Sequence, residues 1–122
     1  MANKATSKLA MPAQHLEIIQ GVAKQYGLTP EQTRLLAAIR LAENGGPGRE
    51  FGVLTPEAQR FANDPLRSFT TQAMWAAGTI KKRYRGDIDE FANIWAPVGV
   101  KNDPTGLNKN WPRNVKKFME TL

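Results

Sequence analysis

The chain of 122 residues contains no cysteine and a single histidine, His15. Without a thiol there can be no disulfide framework, no thiolate metal site and no cysteine nucleophile. One imidazole excludes a multi-histidine metal cluster, so neither metal nor cofactor is expected. His15 lies in an amphipathic run and reads as a packing or surface residue. No apolar run reaches membrane-spanning length, and the opening Met-Ala-Asn-Lys-Ala-Thr-Ser-Lys lacks the apolar stretch of a signal peptide. Repeats and low-complexity segments are missing, and strand signal is nearly so.

Acidic residues are the minority. Against 11 Asp and Glu stand 17 Lys and Arg, a formal net charge of +6. That excess predicts an acidic partner: nucleic acid, a membrane surface, or an anionic polymer such as cell wall. The length is that of one domain, large enough to bury a core without staples, and a monomer is expected.

Taken in order, residues 1–11 are polar and basic and are expected as a loose tail. Leu16, Ile18, Ile19, Val22, Ala23 and Tyr26 space out a helix with Pro12 in its first turn and Gly27 as its stop. Thr29-Pro30-Glu31-Gln32 is a capping box with proline at N1, so a second helix should run from Thr29 to about Glu43. Glu50 to Leu54 alternates but is too short for more than a strand scrap or tight turn. Thr55-Pro56 opens a short helix to about Ala62. Asp64-Pro65 then opens a central helix with a core stripe of Phe69, Ala73, Ala76, Ala77 and Ile80; Met74 and Trp75 are assigned to core as well. Lys81, Lys82, Arg83 and Arg85 suit the negative end of that helix before Gly86, and require no ligand. Asp87 caps a helix bearing Ile88, Phe91, Ala92 and Trp95, residues 97–108 read as a loop, and a last helix starts near Trp111-Pro112. Six helical segments with short connections predict an all-α, non-bundle globule with at most a short strand or turn after the second helix.

That second helix organises the chain. Leu35, Leu36, Ile39 and Leu41 place it in the core, and it ends on Glu43, followed by Asn44-Gly45-Gly46-Pro47-Gly48. A carboxylate on the last turn faces the negative end of the helix dipole, so its pKa should rise. The glycines can adopt positive φ and let backbone approach a ligand, which leaves the acid at the lip of an open loop. A carboxyl kept protonated near neutral pH suits general acid catalysis. The same residues also describe an ordinary helix stop.

Glu43-Asn44-Gly45-Gly46 resembles the Glu-Ser-Gly-Gly sequence of the lysozyme-like superfamily, as found in lytic transglycosylases and phage lysozymes. Gly52-Val53-Leu54-Thr55-Pro56 resembles the family's Gly-Leu-Met-Gln turn and following proline-bearing helix. Asp64-Pro65, Trp75 and Arg83-Tyr84-Arg85-Gly86-Asp87 resemble its Asp-Pro opening, mid-helix aromatic and Arg-Tyr-Gly-Gly-Asp close. Ala92 to Pro97 resembles its Ala-Tyr-Asn-Ala-Gly block, and Arg113 to Lys117 its closing Asn-Tyr-Val-Lys-Lys. The chain departs from the pattern at Thr55, where the family has Gln, and at Trp95-Ala96, in place of Tyr-Asn.

The resemblance, over roughly residues 16–122, implies one lysozyme-like catalytic domain at residues 12–122 that cleaves the β-1,4 linkage between MurNAc and GlcNAc in peptidoglycan, with Glu43 as general acid and base. As a lytic transglycosylase it would need no second carboxylate. As a hydrolytic muramidase it would use Glu50 and Thr55 to position water, although Glu50 is equally a solvated loop acid paired with Arg49 or Arg40, and Thr55 a plain N-cap. Gly52, Val53, Trp95 and Trp111 are the expected glycan contacts, Trp111 the stronger of the two indoles and Trp95 equally readable as core. The competing expectations are a non-catalytic wall-binding module or a basic nucleic-acid-binding protein. Phage or prophage origin, with release by lysis or carriage in the virion, is the expected route to the wall.

Overall fold

The computed structural model describes residues 11–53, 55–100, 103 and 105–122. It is all-helical, with no strand among those residues. Six α-helices follow one another: α1 (Ala13–Tyr26), α2 (Pro30–Glu43), α3 (Pro56–Gln59), α4 (Pro65–Arg83), α5 (Ile88–Trp95) and α6 (Trp111–Thr121), the last entered through a 3-10 turn at Leu107–Asn110.

Local chemistry sets most boundaries. Thr29 accepts from the Gln32 backbone while the Gln32 side chain accepts from the Thr29 backbone, so both halves of the capping box form at the start of α2. Thr55, Asp64 and Asp87 cap α3, α4 and α5 through the backbone N–H three residues on. Some ends differ from expectation. Pro12 is the N-cap of α1 instead of a first-turn residue, α3 closes at Gln59, and α4 ends at Tyr84 in extended backbone, before Gly86. The region of the expected strand scrap is a turn through Glu50, Phe51 and Gly52; Leu54 lies outside the described residues. So does the tail at residues 1–10, whereas Met11 belongs to the core at 5% exposure.

Helix α2 is buried on nearly every side from Leu35 to Leu41, which is the pattern of a helix enclosed by others. Helices α1, α4 and α6 pack around it. The stripe Phe69, Ala73, Ala76, Ala77 and Ile80 of α4 is fully buried, and Val115 closes the core from α6. Enclosing α2 in this way fixes its C-terminal residue, Glu43, relative to α5 and α6.

Beneath the glycine loop lies a knot of polar side chains. Gln72 on α4 donates to Glu50 Oε1 at 2.8 Å and accepts from the Phe51 backbone at 3.2 Å, and the Gly48 N–H also donates to Glu50 Oε1. Arg40 donates to His15 Nδ1 and to Asn44 Oδ1, while the His15 ring stacks on Phe69 with centroids 3.8 Å apart. Gln72 is wholly buried and both Arg40 and Glu50 are 6% exposed. Among the described residues no buried side-chain polar atom lacks a partner, so the knot straps the loop to the core without an unsatisfied group.

Candidate active site

Glu43 closes α2 with its side chain turned toward α5 and α6. The indole N–H groups of Trp111 and Trp95 both donate to Glu43 Oε2, at 2.9 and 3.1 Å. Phe91 packs against both indoles, so the two donors stand in a cluster of rings. Burial pushes the Glu43 carboxyl above the usual carboxylate range, and the bonds from Trp111 and then Trp95 pull it partly back. The direction agrees with the sequence reading, but the principal cause is desolvation, where the helix end had been expected.

The loop that follows is built differently from the expectation for its glycines. The left-handed residues are Asn44, at φ 42°, and Gly48, at φ 88°, and not Gly45 or Gly46. Gly45 is required for another reason: a Cβ there would run into the carbonyl of Arg49, so the loop folds tightly on itself. Gly52 combines both demands. Its φ is 72°, and a Cβ would lie 2.5 Å from Glu43 Oε1. Backbone therefore covers one side of the carboxyl at a distance that no side chain permits.

The remaining side of Glu43 opens on a cleft of about 1190 Å³ between the glycine loop, α4, α5 and the start of the 97–108 segment. Of the four residues expected to contact glycan, Gly52, Val53 and Trp95 line it. Trp111 does not line it: it is 6% exposed and contributes its N–H to the acid, since its ring is enclosed by α2 and α5. Trp75, assigned to the core from sequence, is 46% exposed on the cleft wall, with its ring 5.4 Å from that of Trp95. The signal was present in the helix wheel. Trp75, Gly78, Thr79 and Lys82 recur at i, i+3, i+4 and i+7, a second stripe offset from the buried one.

Glu50 and Thr55 are not brought to the cleft. Glu50 is buried in the Gln72 knot and is neither the solvated loop acid nor an ion-pair partner of Arg49 or Arg40 within bonding distance; the described residues form one ion pair, Lys116 with Asp89. Thr55 is buried and its hydroxyl accepts from Ala58 as an N-cap. His15 is a packing residue whose pKa is lowered, by burial first and by Arg40 second. Glu43 is thus the one carboxylate among the described residues on the cleft wall.

Asp103 was missed by sequence reasoning. Buried at 6% exposure, it accepts from the backbone N–H groups of Gly99 and Asn108, and Asn108 in turn donates to the Pro97 carbonyl. These bonds set Pro97, Val100 and Asn108 as a cleft wall where the composition suggested only a loop; Lys101, Asn102 and Pro104 lie outside the described residues. Among the described residues no group of His, Asp and Glu could hold a metal ion, and no helix is long and apolar enough to cross a membrane.

No protein-family model matches the chain, and comparison with curated proteins and with solved structures gives no match either.

Proposed function

We propose that the chain is a peptidoglycan-cleaving glycosidase with Glu43 as its general acid and base, working as a lytic transglycosylase. The observation that carries this reading is the environment of Glu43: a carboxyl with its pKa raised by burial, oriented by two neutral indole donors, at the wall of a cleft of about 1190 Å³. Such a group is protonated closer to neutral pH than an ordinary carboxyl, and its geometry is set before substrate arrives. The protonated acid donates to the glycosidic oxygen of the departing GlcNAc as the bond to muramic C1 breaks, leaving an oxocarbenium-like centre. Ionised Glu43, still held by both indoles, then takes the proton of the muramic C6 hydroxyl, whose oxygen bonds to C1. The 1,6-anhydro ring closes, the acid is regenerated, and no water is consumed.

The absence of a second carboxylate from the described cleft wall favours this route over hydrolysis, which requires a group to position water opposite Glu43. Mass spectrometry of muropeptides released from purified wall tests the assignment. The anhydro product, one water lighter than the hydrolysed one, is expected. Reducing-end muramic acid alone would replace the transglycosylase by a hydrolase, and no solubilisation of any wall would reject enzymatic cleavage.

A further inference from the structure

Apart from Glu43, the charged residues described on the cleft wall are all basic. Arg49, Lys82 and Arg83 line it, and Glu43 is the only acid among the lining residues described. Arg49 enters from the glycine loop, on a turn held by bonds from its own N–H to Gly46 and from the Gly52 N–H to its carbonyl. Lys82 and Arg83 enter from α4, on the stripe that begins at Trp75; seven residues of helix put Lys82 roughly 10 Å farther along the wall. Placement at a helix C-terminus accounts for a basic residue in general. Here Lys81 already serves that purpose between elements, donating to the Tyr26 carbonyl at the end of α1. The side chains of Lys82 and Arg83 are exposed and, among the described residues, have neither a hydrogen-bond partner nor a part in the single ion pair. The wall between Trp75 and these cations is kept low by Gly78, whose missing side chain leaves the space above Tyr26 open.

We infer that this arm of the cleft is a subsite for the carboxylate-bearing peptide stem of the glycan strand, with Trp75 as an apolar platform next to the reacting sugars and Lys82, Arg83 and Arg49 as the receptor for stem carboxylates. The inference rests on the proposed peptidoglycan cleavage and deepens it. Three cations facing one concave space concentrate positive potential there, so the charge of the stem selects substrate.

A ligand that cannot be cleaved separates this subsite from catalysis. GlcNAc–MurNAc bearing a peptide stem with free carboxylates has no MurNAc-to-GlcNAc bond to break, and its binding to the intact wild-type chain can be followed by tryptophan fluorescence beside the same compound with amidated carboxylates. At low ionic strength the acidic form is expected to bind about tenfold more tightly, with the difference collapsing toward 0.5 M salt. Lys82→Gln combined with Arg83→Gln should remove most of the preference, whereas the charge-conserving pair Lys82→Arg and Arg83→Lys should retain it. Equal affinity for the two forms, or no binding of either, overturns the subsite. A chain that prefers the acidic stem but releases no fragment from wall fails as an enzyme while keeping the subsite; one that cleaves wall without the preference does the reverse.

Discussion

Two glutamates flank the glycine loop, and the groups around them differ in kind. Glu43 keeps one side on the cleft and, among the described residues, accepts only from the neutral indoles of Trp95 and Trp111. Glu50 is turned into the core, accepts from Gln72 and Gly48, and lies in the electrostatic field shared with Arg40 and His15. A buried carboxyl without a cation is pushed toward its protonated form, while one that accepts amide donors beside a guanidinium is an anchor. The contrast teaches that burial alone does not make a candidate acid: what sets Glu43 apart is open access on one side and neutral donors on the other.

The contrast breaks first on paired isosteric substitutions. Glu43→Gln removes the transferable proton and keeps the shape, so wall release should fall at least about a hundredfold, the lower end for a general acid. Glu50→Gln should lower the melting temperature, by the equivalent of about 1–3 kcal/mol for a weakened buried bond to a charged group, while the rate at low temperature stays within a few fold of wild type. Turbidity clearance and thermal melts on both proteins decide it; a stable, inactive Glu50→Gln would promote Glu50 to a working carboxylate.

Gly52→Ala tests whether the covered side of Glu43 matters. The added methyl must displace the carboxyl or the loop, and at φ 72° it is strained as well. A displacement near 1 Å in a catalytic group costs on the order of a hundredfold in rate. Activity close to wild type would show that the Gly52 contact is incidental.

A smaller effect separates the two indoles from the Gln72 knot. Trp111→Phe removes a donor that stabilises ionised Glu43, so the carboxyl should rise further and the alkaline limb of the activity profile should move to higher pH. Trp95→Phe should move it in the same direction and less, as its bond has the weaker influence on the acid. Gln72→Leu, which removes the bonds to Glu50 and the Phe51 backbone and none to Glu43, should leave the limb in place. Initial rates across pH give all three results in one experiment.

The smallest effect is on stability. Because Glu43 titrates above its ordinary 4.5 in the folded chain, its contribution to stability is complete below that pH and is lost as pH rises through the folded value. Glu43→Gln and wild type should therefore melt alike near pH 4, and the variant should gain on wild type as pH increases toward neutrality. Parallel melting curves over that window would contradict the raised pKa.

The local sequence was sufficient for the elements and their order. Thr29, Thr55, Asp64 and Asp87 cap with their own side chains, proline follows three of them directly, and the apolar spacing of α2 and α4 fits only helices; these are interactions within a few residues. It also singled out Glu43 at the end of a buried helix beside a glycine loop. What it could not decide is which distant groups meet there. Trp95 and Trp111 converge on one oxygen of Glu43 from 52 and 68 residues away, Gln72 takes Glu50 out of the cleft from 22 residues away, and Trp75 faces outward because α5, and not α2, lies opposite it. Each depends on how α4, α5 and α6 are oriented around α2. That orientation is fixed by core packing between non-local faces, so the place of Glu43 at the end of a buried helix was written in the sequence, while its burial, its donors and the shape of its cleft were decided by tertiary structure.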